Sequence, residues 1–112
     1  MSSSKDWRKQ LVRRFKRWAD DRFPVPYPLR YYLRPQSMLP GFHGYFLFND
    51  EEVRGVIVIA ENATREVMID TLCEELAHAR TAHLCTEDED PHTPSFWAEY
   101  GRIVMACREY TW

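Results

Sequence analysis

Prolines at positions 24, 26 and 28 forbid a regular helix through that stretch, because each fixes φ and removes a backbone donor. Any helix before them must end by Phe23, and a new element has to start after Pro28. The preceding segment reads as a helix. Ser3 with Asp6 three residues later forms a capping-box-like start, and Trp7, Leu11, Phe15 and Trp18 then recur at helical spacing. Val12 and Ala19 widen this apolar stripe, and Lys9, Arg13, Lys16 and Arg17 lie off it.

Beyond the prolines the pattern changes to short extended runs. Leu29–Leu33 suits a strand, with a turn-rich segment from Pro35 to Gly41 after it. Gly44–Phe48 reads as a second strand, and Asn49–Glu52 as a polar turn. Gly55–Ala60 is β-branched and short enough to be a strand buried on both faces. Asn62 or Thr64 caps a second helix from about Glu66 to His83, and an acidic loop runs from Thr86 to Asp90. Thr93-Pro94 opens the last helix, with Phe96, Tyr100, Ile103 and Cys107 as its stripe. The order α-β-β-β-α-α predicts an α+β fold, and 112 residues suffice for one domain over 1–112.

Composition narrows the class. With 45% hydrophobic and 29% charged residues the chain reads as an ordinary soluble globule, and low-complexity disorder is excluded. No apolar run approaches the ~20 residues of a membrane span, so no membrane partner is expected, and the first residues show no secretory signal. Cys73, Cys85 and Cys107 are odd in number and lack C-x-x-C spacing, which fits reduced thiols and a cytoplasmic location. The net charge of −2 hides two poles: ten Lys/Arg against three Asp in residues 1–34, and five against fourteen Asp/Glu thereafter. The basic first helix is either a solvated face or a surface for weak nucleic-acid contact.

The chemistry concentrates on the second helix. Met68, Leu72, Leu76, Ala79 and His83 form its core stripe, whereas Glu74 and His78 stand one turn apart on another face. Two ligand-capable side chains at that spacing can grip one ion, and Glu75 beside them is placed to hold a water. His83, about 140° round from His78, is expected to be a partly buried core histidine, and His43 a structural one. The acidic run Glu87–Asp90 reads as a solvated loop without calcium-ligand spacing, and Cys73 and Cys85 are given no catalytic role.

The stretch DTLCEELAHA, followed by His92-Thr93-Pro94-Ser95-Phe96-Trp97, resembles the SprT-like (Spartan-type) zincin metalloproteases, in a minimal form with E-E-x-x-H in place of H-E-x-x-H. The upstream FPVP, GYF and GVIVIA segments match that family's layout as well. The resemblance implies a zincin-like fold, with His78 as the second ligand of a single Zn2+, His92 as the third and Glu75 as the catalytic glutamate. Glu74 stands where the family has its first histidine, and two histidines with one glutamate form a ligand set used by catalytic zinc. It further implies a peptidase in which a metal-activated water attacks the peptide bond and Glu75 acts as general base, on proteins associated with DNA. Tyr100, Arg102 and Tyr110 are the candidates for stabilising the oxyanion. The alternative is an inactive zincin scaffold that binds a protein or nucleic-acid partner.

Overall fold

The computed structural model describes residues 4–84 and 90–112. Ser3, Cys85 and most of the acidic run (Glu87–Glu89) lie outside the described residues. Helix α1 spans Ser4–Arg22 and closes with the Phe23 N–H donating to the Ala19 carbonyl, directly before Pro24. Its stripe is the buried one: Leu11, Val12, Phe15, Trp18 and Ala19 all face the core, with Trp7 packed at the edge. Part of its basic charge makes tertiary contacts. Arg8 donates to the Ala63 carbonyl at 2.9 and 3.2 Å, and Arg14 donates to the carbonyls of Thr111 and Trp112.

Three strands come next: β1 (Leu29–Arg34), β2 (Gly44–Asn49) and β3 (Arg54–Ala60). Their spatial order is β1-β3-β2. β3 runs parallel to β1, with Leu29 opposite Gly55, and antiparallel to β2, with Gly44 opposite Ile59. The β-branched strand therefore takes the centre, where Ile57, Val58, Ile59 and Ala60 are all buried. Alternation sends Leu29, Tyr31, Leu33, Phe46, Ile57 and Ile59 to the side where the helices pack.

Helix α2 (Arg65–Thr81) lies across β2 and β3, and α3 (Pro94–Arg108) packs on α2. Thr64, rather than Asn62, is the N-cap of α2, its hydroxyl accepting from Val67 N–H at 3.3 Å. Met68, Leu72, Leu76 and Ala79 are buried as their spacing requires. His83 is not. The α-helix stops at Thr81 and residues 82–84 form a 3₁₀ turn. That turn advances about 120° per residue instead of about 100°, so the imidazole swings off the core stripe and is exposed. Gly44 lets β2 approach this helix closely, because a Cβ there would meet Thr71 Cγ2 and the Val58 carbonyl oxygen at 2.7 Å. No helix of the described residues is long and apolar enough to cross a membrane. Among the described residues the result is an α+β fold of three α-helices and a three-stranded mixed sheet.

Candidate metal centre

Glu74 and His78 leave α2 one turn apart, both half-buried. His92 comes from the segment before α3, where Thr93 caps the helix by accepting from Phe96 N–H and Pro94 fills its first turn. That start turns the chain back over α2. Nε2 of His92 lies 3.8 Å from Glu74 Oε1, and the rings of His78 and His92 are 4.9 Å apart between centroids. One ligand atom from each of Glu74, His78 and His92 lies within 4.8 Å of the other two. Tetrahedral zinc at 2.0–2.1 Å wants donors roughly 3.4 Å apart, so small side-chain rotations close the set. The three residues are close enough to hold one metal ion.

Two further side chains orient the imidazoles. Asp90 Oδ1 lies 3.0 Å from His92 Nδ1 and accepts the His92 backbone N–H at 2.9 Å. A carboxylate only accepts, so it keeps the ring proton on Nδ1 and leaves the Nε2 lone pair facing Glu74. Phe96, fully buried, stacks on His78 with centroids 4.2 Å apart and planes 20° apart, and meets the edge of His92 at 5.0 Å. Sequence reasoning missed both roles. The Asp-x-His spacing is a signal for the first, but the second depends on how α3 returns.

The electrostatics suit a ligand and a base. Burial, reinforced by the neighbouring His92, lowers His78 to about 4, so its imidazole is neutral with a free lone pair at pH 7. Glu75 is only 7% exposed, and burial followed by the adjacent Glu74 charge pushes its carboxyl up to about 7. All four residues line one cleft of about 600 Å³, whose opposite wall is the segment from Gly41 to Phe46, with His43 on it.

Tyr100, Arg102 and Tyr110 do not line that cleft. Tyr100 donates to Asp70, Arg102 pairs with Glu99 at 2.7 Å, and Tyr110 packs against Trp18 and Trp112. Cys73 and Cys107 are both buried free thiols, and neither lines the cleft. A scan against protein-family models finds no match, and searches of curated proteins and of solved structures find no significant one either.

Proposed function

We propose that this chain is a zinc-dependent peptidase of SprT-like, zincin type, holding one Zn2+ through Glu74, His78 and His92 with Glu75 as general base. The observation that carries this reading is convergence: three donors from two elements meet on the wall of a cleft that also holds a buried carboxylate. The donor set fits zinc, since two imidazoles, one of them neutral by burial, join a single carboxylate.

Substrate binding rests on the cleft's other wall. β2 pairs only with β3 among the described residues, so its outer edge offers free N–H and C=O groups beside the site. An extended peptide can add to that edge as a further strand. Phe42, 61% exposed on the same wall, offers apolar surface to a substrate side chain. Zinc bound at the triad supplies Lewis acidity toward the scissile carbonyl and the attacking water. Glu75 takes the water's proton and passes it to the departing amine. The negative charge of Glu74 makes the ion a weaker acid than one held by three neutral imidazoles.

The substrate class is protein, with DNA-associated proteins as the targets implied by the family likeness. The buried thiols of Cys73 and Cys107 accord with a reducing cytoplasm. The test is proteolysis of casein by protein purified without added metal, with and without chelator. Chelation and Glu75→Gln should each abolish turnover, the latter with metal occupancy intact. Glu74 in place of histidine favours a second reading, an inactive binding scaffold; metal-loaded protein that leaves casein whole would select it.

A further inference from the structure

Helix α3 is apolar on two opposite sides. Phe96, Ile103 and Cys107 are buried, as their spacing requires. At about 100° per residue the opposite side carries Pro94, Trp97, Ala98, Gly101 and Met105, all exposed, with Val104 half-buried beside them. These positions repeat as the a, d and e places of a heptad, and the face has one charged side chain, Arg108, at its C-terminal end. Of the helix's other charges, Glu99 turns inward to Arg80 at 2.7 Å, and Arg102 bridges to it from the flank. Helix α1 shows the ordinary arrangement, with Lys9, Arg13, Arg14 and Arg17 along its exposed side. A helix that is apolar all round is covered all round.

The exposed face is complementary to itself. Gly101 stands at its middle, four residues from Trp97 in one direction and four from Met105 in the other. A second α3 laid antiparallel about a two-fold axis at Gly101 sets each Trp97 against Met105 of the other copy, an indole on a thioether. The two side chains are 55% and 61% exposed, so both have surface to cover. A Cβ on Gly101 would meet nothing within 4 Å, so the axis position is open and lets two backbones come close. The ends of the helix match in charge as well. The sequence just ahead of it is acidic from Glu87 to Asp90. Arg108 lies in its last turn, and Arg14 donates to the Thr111 and Trp112 carbonyls beyond it. Antiparallel pairing lays the basic end of one copy along the acidic end of the other and opposes the two helix dipoles. Glu109 lies about 80° off the seam.

We propose that this face of α3 is an interface between two copies of this chain, paired antiparallel about Gly101 in a reversible dimer. A second copy is favoured over an unrelated protein because the large and small apolar residues are spaced evenly about one glycine and the two ends differ in charge. It is favoured over a lipid surface because the face has one arginine where a membrane-surface helix has a basic rim. The helix has 15 residues, and a contact along about 22 Å of it falls short of a permanent interface of roughly 1,200 Å² or more. The dimer therefore forms and parts in the micromolar range. Its edge borders the metal centre, since the Trp97 and His92 rings are 5.9 Å apart between centroids. The pairing goes beyond the peptidase reading and does not depend on metal.

The test is sedimentation velocity of the full chain, without added metal, from low to high micromolar concentration. The wild type should pass reversibly from monomer to dimer. Met105→Glu and Gly101→Gln should each weaken association by about 30-fold or more. Met38→Glu, at a residue equally exposed at 61% but off this helix, should leave it unchanged. Gly101→Gln should also raise the melting temperature, because glutamine is the better helix former and its Cβ meets open space. Its weakened association is then not a loss of fold. Trp97→Glu and Met105→Lys should each be monomeric, and mixing the two should restore a dimer, because antiparallel pairing sets the introduced carboxylate against the introduced ammonium. A wild type that stays monomeric at high micromolar concentration overturns the proposal. So does association that survives Met105→Glu or is lost equally in Met38→Glu, and a mixture that stays monomeric overturns the antiparallel pairing. A monomeric wild type that sediments with phosphatidylcholine vesicles would overturn it in favour of a lipid surface.

Discussion

Asp90 and His92 are joined twice by a single carboxylate oxygen, which faces the imidazole Nδ1 at 3.0 Å and the backbone N–H at 2.9 Å. The pairing lowers the Asp90 carboxyl below its usual range, the backbone bond contributing most. Its consequence for the site is directional, since it fixes which ring nitrogen can meet an ion. Asp90→Ala should therefore weaken metal binding by about 10- to 100-fold. Competition against a chromophoric chelator measures this, and the melting temperature of metal-free protein should stay near wild type because Asp90 is exposed.

Phe96 links the fold to the site. It is fully buried and lies against both imidazoles. Phe96→Ala should cost about 3–5 kcal/mol of stability by opening a cavity under α3. Phe96→Leu should cost under about 2 kcal/mol and keep the fold. Its metal affinity should nevertheless fall, because His78 loses the flat surface that holds its ring. Denaturant unfolding alongside metal titration separates the two effects.

Metal-free protein should show opposing pH effects from neighbouring residues. The folded-state carboxyl of Glu75 sits near 7 against an ordinary value of 4.5. Folded protein thus keeps a proton that unfolded protein releases, and stability falls as pH rises through that window. His78 is lowered from 6.5 to about 4, so its contribution is complete above 6.5 and is lost as pH falls toward 4. Glu75→Gln removes the first effect alone. The variant should be more stable than wild type at about pH 8, by at most about 3 kcal/mol, and match it below the unfolded carboxylate range.

Much of this architecture is legible in the residues, and the exceptions share a cause. Phe15, Leu72 and Ile103 read as core because helical spacing is local, and all three are buried. Glu74, Glu75 and His78 are legible for the same reason, since little more than one turn of a single helix decides their faces. His83 defeats the reading because the period itself changes after Thr81. The parallel pairing of β1 with β3 and the role of Phe96 depend on contacts between distant segments, which no local period encodes.

Val53 is another feature hidden from the sequence. It closes the turn between β2 and β3 with φ of 49°, in the left-handed region, and is 54% exposed. A β-branched residue there costs about 1–2 kcal/mol. Val53→Gly should return part of that, raising the melting temperature by roughly 4 °C for a domain of this size. Differential scanning calorimetry checks it, with metal content unchanged because the turn is not among the residues lining the cleft.

The most direct measurement is metal content, by elemental analysis, of wild-type protein and of the Glu74→Ala and His92→Ala variants, all purified without added metal. One zinc ion per chain in the wild type, lost or sharply reduced in both variants while each stays folded, is the predicted result. Stoichiometric metal in both variants, or a folded wild type that binds none even when zinc is supplied, would contradict the account.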